Sequence, residues 1–260
     1  MKVVLFCGGL GTRLREHSET IPKPMVNIGN RPILWHLMKY YAHFGHTEFI
    51  LCLGHQGDLI KQYFIDYAEW LSNDFRLTGD GGQIHLYNRD IANWKITFAD
   101  TGSDANIGQR LCAIRRYLEN DAAFLANYSD GLSDLPLTDY LTRFERDDRV
   151  ASFVCVRPNQ SFHTVSLGAD DEVRAIRHVR QSDLWINGGY FAFKQEIFEH
   201  IGSGEELVVE PFQRLIELGQ LSAYRHEGFW ACMDTLKDKR EFDAMIARDQ
   251  TPWQVWRTGG

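Results

Sequence analysis

The first residues able to do chemistry form a glycine-rich turn directly after the apolar run 3–7. Gly8, Gly9 and Gly11 let backbone N–H groups approach phosphate oxygens closely, with Thr12 in the same loop and Arg13 adding a planar cation. The spacing is neither GxGxxG nor GxxxxGK[ST], which disfavours a dinucleotide-binding dehydrogenase or a Walker-type NTPase. These residues predict a phosphate-binding loop; the plain alternative is a strand-to-helix turn without a ligand.

A second cation follows this loop along the chain. Lys23 lies between Pro22 and Pro24, whose rings stiffen the backbone and limit the positions of the ammonium group. An isolated Pro-Lys-Pro segment is usually a solvated loop. Because this one follows a glycine-rich loop with its own arginine, we expect Lys23 to bind phosphate.

Short apolar strands alternating with helices must position these residues. The pattern predicts strands over 3–7, 48–53, 124–127, 151–157, 173–177 and 188–193, and helices over 32–44, 58–70, 107–118 and 241–248. Such alternation predicts an α/β fold with a doubly wound, mostly parallel sheet that is partly antiparallel near its later strands.

We expect one domain over residues 1–260, with two additions. Residues 71–100 contain a Thr-Gly-Asp-Gly-Gly turn followed by an alternating stretch, which indicates an inserted hairpin or flap. Residues 239–260 form a helical C-terminal extension that ends in an aromatic tail, expected to pack on the body or on a neighbouring subunit.

Composition excludes several classes of function. The formal charge of −7 argues against sequence-independent binding to nucleic acid or to an anionic membrane. The five cysteines are scattered without metal-ligand spacing, and no apolar run approaches the ~20 residues that a membrane span needs. We therefore expect a cytoplasmic protein with reduced cysteines, no membrane partner and no nucleic-acid partner.

The motif GGLGTRL…PKPM resembles the signature of the sugar-phosphate nucleotidyltransferase family. The stretch 26–39, VNIGNRPILWHLMK, is similar to the glucose-1-phosphate cytidylyltransferase branch. The resemblance continues through ordered blocks: Asp-Thr-Gly at 100–102, Gly-Gln-Arg-Leu at 108–111, the block 127–132, Ile-Asn-Gly-Gly at 186–189, Glu-Pro at 210–211, and 228–239. It covers essentially the whole chain.

The resemblance implies a Rossmann-like, glycosyltransferase-A-like fold and transfer of CMP from CTP to a sugar 1-phosphate. It implies that Asp130 and Asp234 bind catalytic Mg²⁺, which prefers one or two carboxylates and takes its other ligands from phosphate and water. Arg13, Lys23 and Asp130 are the expected catalytic residues. A phosphate oxygen of the acceptor would attack the α-phosphorus, and pyrophosphate would leave.

The same resemblance assigns binding residues. Arg110 is expected to read the cytosine edge, since its donors suit the carbonyl and ring-nitrogen acceptors of that base, and Ser129 to contact the nucleotide. Asn187, Gly188 and Glu210 are expected to bind the acceptor. The resemblance also implies a homo-oligomer, and a hexamer is one form that it suggests.

Two departures from the family pattern fall on the acceptor side. Val179 stands opposite the lysine that holds the acceptor phosphate in the family, and His163 replaces a glycine. Arg177 or Arg180 could replace the lysine in a bidentate mode. A one-residue alignment shift that hides a conventional site is the other explanation.

Three functions therefore stay open. The first is a cytidylyltransferase acting on glucose 1-phosphate for a surface-polysaccharide pathway. The second uses the same mechanism on another phosphorylated acceptor or another nucleotide. The third is a non-catalytic protein that binds CTP without turnover, which the retained carboxylates disfavour.

Overall fold

A computed structural model describes residues 1–9, 21–79, 81–159 and 162–257. Fifteen strands occur within those ranges, and most are short. In chain order they are β1 (Val3–Phe6), β2 (Asn27–Ile28), β3 (Arg31–Pro32), β4 (Glu48–Leu53), β5 (Phe75–Leu77), β6 (Ile84–Leu86), β7 (Lys95–Asp100), β8 (Ala123–Tyr128), β9 (Gly131–Ser133), β10 (Ala151–Val156), β11 (His163–Leu167), β12 (Val173–His178), β13 (Ile186–Lys194), β14 (Leu221–His226) and β15 (Trp230–Cys232).

Seven of these strands form the central sheet, in the order β14-β10-β13-β8-β1-β4-β7. Strands β8, β1, β4 and β7 run parallel to one another, and β10 runs parallel to β14. Only β13 is antiparallel to its neighbours in this sheet. The expected α/β fold with a mostly parallel, partly antiparallel sheet is confirmed.

Six α-helices within the described ranges connect and flank the strands. They are α1 (Ile33–His43), α2 (Gly57–Ile65), α3 (Ile107–Ala113), α4 (Leu137–Asp147), α5 (Glu210–Glu217) and α6 (Leu236–Ala247). Both α2 and α3 end earlier than the apolar pattern predicts. Near the end of α2, the buried Arg31 donates to the carbonyl of Ala68 at 2.7 Å and fixes that segment outside the helix.

The centre of the sheet is fully buried because helices cover both of its faces. Every residue of β1 is buried, as expected for a strand between two parallel neighbours. Helix α1 enters at Pro32, whose missing N–H costs nothing at a helix start, and packs on one face. Helices α3 and α5 cover the other face. The core therefore holds the carboxyl end of β1 in place.

Two hairpins extend from this body and keep apolar side chains exposed. The first hairpin arm pairs β5 with β6 and the second pairs β11 with β12. The first lies in the expected insertion 71–100, but residues 95–100 form β7 of the central sheet, so the insertion ends before them. Strand 173–177, expected among the later strands of the sheet, lies instead in the second arm.

The C-terminal extension packs on the body of the same chain. Helix α6 begins at Leu236 with Thr235 as its N-cap, whereas the apolar pattern predicts a helix that begins at residue 241. Trp253 is fully buried against Phe229 and Phe242, with ring centroids 5.6 and 5.3 Å away. Within the described ranges, no helix is both long and apolar enough to cross a bilayer.

Candidate active site

A two-stranded antiparallel ribbon, β9 with β15, carries the two expected metal ligands. Asp130 immediately precedes β9, and Asp234 follows β15 by two residues. In the ribbon Gly131 pairs with Cys232, and the N–H of Met233 donates to the carbonyl of Asp130 at 2.9 Å. Pairing therefore brings the two carboxylates to the same end of the ribbon, although they lie far apart in sequence.

Lys23 reaches both carboxylates. It begins a short 3₁₀ turn after Pro22, and its Nζ lies 2.5 Å from Asp130 Oδ2 and 2.6 Å from Asp234 Oδ1. Burial lowers the pKa of Lys23, but the charge of Asp130 and hydrogen bonds to both carboxylates outweigh it, so that pKa lies above its ordinary value. The lysine is therefore a fixed cation at neutral pH.

The remaining parts of the expected catalytic loop are only partly described. Gly8 and Gly9 follow β1 and line the same cavity as Lys23 and Asp130. Gly11, Thr12 and Arg13 lie outside the described residues, so their expected roles in phosphate binding and catalysis stay predictions.

Arg110 is buried beside this loop and is held by groups of the protein. Its terminal nitrogens donate to the carbonyls of Gly8, Leu53 and Ser103 and to Thr101 Oγ1, the last at 2.7 Å. A Cβ placed on Gly8 would overlap the guanidinium. The geometry thus gives Arg110 a positioning role, fixing the carbonyl of Gly8, and its expected contact with cytosine stays a prediction.

These residues surround a cavity of about 240 Å³ at the carboxyl ends of β1 and β8. We call it the nucleotide cavity. Its walls combine backbone from the glycine loop and from the start of α3 with polar side chains, and the lining residues used below are Lys23, Asn106, Arg110, Tyr128, Ser129, Asp130 and Glu206. Ligands of α/β sheets bind at this edge.

Ser129, expected to contact the nucleotide, is buried, and its hydroxyl donates to the carbonyl of Phe6 at 2.8 Å. It therefore ties β8 to β1 at the cavity floor. Tyr128, which belongs to the block 127–132 but has no role assigned from the sequence, and Glu206 also line the cavity. Glu206 comes from the segment before α5 and has no motif of its own, so only the folded chain reveals it.

The carboxylates suit a magnesium ion. Asp130 lines the nucleotide cavity, and Asp234 shares the ammonium of Lys23 with it. The two supply hard anionic oxygens, and Mg²⁺ takes one or two carboxylates from nucleotide-dependent enzymes. No group of three or more metal-ligating side chains occurs in the described ranges. The remaining coordination positions would go to phosphate oxygens and water.

A second cavity, also of about 240 Å³, lies on the other side of the ribbon. We call it the acceptor cavity. Arg180, Asn159, Trp230 and Cys232 line it, and Cys232 donates its thiol to Asp234 Oδ2 at 3.4 Å. Of the two arginines expected to bind the acceptor phosphate, Arg177 and Arg180, only Arg180 lines this cavity. The cavity lies next to Asp234 through the contact made by Cys232.

Asn187 and Gly188 of β13 each contact a residue that lines one of the two cavities. The side chain of Asn187 hydrogen-bonds Tyr128 and accepts the N–H of Gly189 at 2.8 Å. The carbonyl of Gly188 accepts from the indole of Trp230 at 2.8 Å. This block therefore joins β13 to both cavities, and its expected binding role stays a prediction.

The other expected acceptor residues lie farther out. His163 and Arg177 are on the second hairpin arm and line neither cavity, and Glu210 begins α5, where it accepts the N–H of Glu206 at 3.1 Å. Val179, opposite the family lysine, is buried, with 6% of its surface exposed. Its neighbour Arg180 is exposed, and the replacement of the family lysine by this arginine stays a prediction.

The chain is similar to known nucleotidyltransferases over nearly its whole length. The Nucleotidyl transferase family matches residues 2–242. A probable glucose-1-phosphate cytidylyltransferase from Bacillus subtilis (strain 168) is 36% identical over 98% of this chain and 100% of its own. A glucose-1-phosphate cytidylyltransferase from Salmonella typhimurium is 35% identical over the same shares.

Solved structures share the fold at low sequence identity. A putative glucose-1-phosphate thymidylyltransferase from Bacillus anthracis, in complex with a sucrose, superposes with a TM-score of 0.70 at 16% identity and 96% coverage of both chains. A UDP-glucose pyrophosphorylase bound to UDP-glucose gives a TM-score of 0.70 at 13% identity, covering 95% of this chain and 98% of its own. From the match over residues 2–242 and the full-length relatives, the chain belongs to the nucleotidyl transferase family.

Proposed function

We propose that this enzyme transfers CMP from CTP to glucose 1-phosphate, giving CDP-glucose and pyrophosphate. The observation that carries the proposal is the meeting of Lys23 with Asp130 and Asp234 at the mouth of the nucleotide cavity. The choice of CTP and glucose 1-phosphate rests on full-length relatives that bear that name.

The proposed reaction is a single in-line displacement. A phosphate oxygen of the acceptor forms a bond to the α-phosphorus of CTP, and the bond from that phosphorus to the β-phosphate bridging oxygen breaks. Pyrophosphate leaves with the electron pair. No protein nucleophile is needed, so catalysis comes from positioning and from stabilisation of charge.

The residues present divide these tasks. Lys23 supplies positive charge to the reacting phosphates, and the backbone of Gly8 and Gly9 borders the same space. Asp130 and Asp234 would hold Mg²⁺, which neutralises phosphate charge and orients oxygens when bound. Arg13 is proposed to stabilise the leaving pyrophosphate.

A second candidate keeps this chemistry and changes the acceptor. Val179 is buried where the family resemblance places a phosphate-binding lysine, while Arg180 faces the acceptor cavity. A guanidinium binds phosphate in a planar, bidentate mode that an ammonium cannot make. This observation favours an acceptor with a differently placed phosphate.

The deciding experiment measures pyrophosphate release with Mg²⁺, each of the four nucleoside triphosphates and a panel of sugar 1-phosphates and other phosphates. Release with CTP and glucose 1-phosphate, with CDP-glucose identified by mass spectrometry, supports the first proposal. Turnover of CTP with another acceptor alone supports the second. An Asp130→Asn variant is the matched inactive control, and CTP binding without turnover on any acceptor contradicts both.

We further infer that the enzyme acts in the cytoplasm, as a homo-oligomer, within a polysaccharide pathway that consumes a CDP-sugar. The hairpin arms support the oligomer. Val165, Leu167, Val173 and Ile176 of the second arm are each more than half exposed, and Leu77 of the first arm is 62% exposed. Contiguous apolar surface of this kind marks contact between proteins.

A further inference from the structure

The nucleotide cavity contains few polar side chains that are free to read a base. Both terminal nitrogens of Arg110 are engaged by four acceptors of the chain. Asn106 caps α3, accepting from the N–H of Gln109 at 2.8 Å and donating to the carbonyl of Gly204 at 2.9 Å. The hydroxyl of Ser129 donates to Phe6. These groups shape the cavity, and each of them already hydrogen-bonds another residue of the chain.

Glu206 differs from them. Its half-buried carboxylate lines the cavity and receives one weak contact, from the N–H of Ile107 at 3.4 Å. Among the described residues, no lysine, arginine or histidine forms an ion pair with it. An ionised carboxylate has room for about four hydrogen bonds. Most of its accepting capacity is therefore unused by these residues.

The charge of Glu206 acts on the interior of the cavity. Burial raises the pKa of Tyr128 to about 12, and the negative charge of Glu206 is the next contribution in the same direction. Asp130 acts on the same phenol more weakly. Tyr128 thus lies close to the carboxylates of Asp130 and Glu206. Asp130 lies with Lys23 at the proposed phosphate side of the cavity, and Glu206 lies beside residues 105–107.

We propose that Glu206 accepts a hydrogen bond from the exocyclic amino group of cytosine and thereby selects CTP over UTP. The inference rests on the proposed function. Cytosine presents an N4 amino donor where uracil presents a carbonyl oxygen, so a carboxylate attracts the first and repels the second. A well-made contact of this kind contributes about 1–3 kcal/mol of discrimination, which is roughly 5- to 150-fold.

The test compares CTP with UTP in the wild-type enzyme and in Glu206→Gln. Glutamine keeps an oxygen for the N–H of Ile107, and it adds amide donors that suit the uracil carbonyl. The ratio of kcat/KM for CTP to kcat/KM for UTP is expected to fall about tenfold or more. Glu205→Gln is the matched control, because Glu205 pairs with Arg214 outside the cavity, and its ratio is expected to stay unchanged.

A substrate change keeps the test decisive if the variant is unstable. The triphosphate of 2-pyrimidinone ribonucleoside lacks the amino group and adds no bulk. It is expected to lose about tenfold in kcat/KM against CTP with the wild-type enzyme, and much less with Glu206→Gln.

Two outcomes would overturn the inference: an unchanged ratio of kcat/KM for CTP to kcat/KM for UTP in Glu206→Gln, whether or not both values fall, or full activity of the wild-type enzyme with the analogue. Failure of the proposed function has a different signature. There the wild-type enzyme would prefer a nucleotide other than CTP, or would release no pyrophosphate, before any variant is compared.

Discussion

The ammonium of Lys23 lies 2.5 Å from Asp130, and the same nitrogen lies 2.6 Å from Asp234. One cation therefore bridges two carboxylates that we propose as magnesium ligands. In the free protein, the lysine neutralises charge that Mg²⁺ would neutralise in the nucleotide complex. Metal and lysine then compete for these oxygens until phosphate offers the lysine another partner.

Replacing Lys23 by Met is expected to separate metal binding from catalysis. Loss of the ammonium removes the competitor, so Mn²⁺ used as a probe should bind the nucleotide-free variant more tightly than the wild-type protein, by about tenfold, which corresponds to 1.4 kcal/mol. Turnover should fall by about 10² or more, because a cation on the reacting phosphates is lost. Electron paramagnetic resonance titration and pyrophosphate release measure the two effects.

Lys95→Met is the control for that experiment, since Lys95 pairs with Glu48 on an exposed edge of the sheet. Weaker Mn²⁺ binding in Lys23→Met than in the wild-type protein would contradict the competition.

Gly8→Ala is expected to destabilise the protein, whereas Gly9→Ala is not. A Cβ on Gly8 would overlap the buried guanidinium of Arg110, while a Cβ on Gly9 meets no atom of the described residues within 4 Å. Overpacking of this kind costs about 1–3 kcal/mol. Urea unfolding of both variants measures the difference. Equal stability of the two would show that Arg110 can move away without cost.

Arg180→Ala is expected to raise KM for the acceptor by about tenfold or more and to leave KM for CTP nearly unchanged. The reason is that Arg180 lines the acceptor cavity and a charge-assisted contact to phosphate is worth about 1.5–3 kcal/mol. Arg177→Ala is the paired control, since Arg177 is exposed on the second hairpin arm. Initial rates at saturating CTP provide both values, and a larger effect at Arg177 would reverse the assignment.

His36 is expected to make the protein less stable as the pH falls. Burial lowers the pKa of His36 from 6.5 to about 4, while its Nε2 contacts the carbonyl of Ile28 at 3.2 Å. Below pH 6.5 the unfolded chain binds a proton that the folded chain does not, so this stabilising contribution is present above pH 6.5 and is lost as the pH falls towards 4. Between pH 7.5 and 5.5 the loss is about 1.4 kcal/mol.

The check is the difference in unfolding free energy between wild type and His36→Gln at those two pH values, which cancels the titration of carboxylates. Glutamine retains a donor for Ile28 and does not titrate. An identical pH dependence in both proteins would mean that His36 takes up its proton equally in the folded and the unfolded chain, which contradicts the lowered pKa.

Charges placed on the second hairpin arm are expected to reduce the oligomeric state. Val165 and Ile176 are directly paired and more than half exposed, so Val165→Glu with Ile176→Glu would put two like charges on the apolar face. Light scattering after size exclusion measures the mass. Thr164→Glu, on the opposite face of the same strand, is the control. A wild-type monomer would contradict the proposed oligomer outright.

The sequence predicts the central sheet well because alternation of apolar strands and helices is local. Residues 48–53, for example, form a strand with the expected bounds. Prediction from the sequence is limited where residues far apart in the chain determine how a side chain is held. The sequence does not show how Arg110 is held, because its terminal donors contact backbone carbonyls that are brought together only by the fold. Glu206 has no motif and reaches the cavity through the segment before α5.

The ribbon of β9 and β15 has a consequence for how this chain tolerates change. Because Gly131 pairs with Cys232, the separation of the two carboxylates is fixed by one short register, independently of residues 134–229 between the two strands. Insertions in that long interval leave the pair intact as long as the ribbon forms. A single residue inserted within 131–133 or 230–232 would turn one carboxylate to the opposite face. Divergence of acceptor specificity can therefore proceed in the interval while the proposed metal ligands Asp130 and Asp234 stay in place.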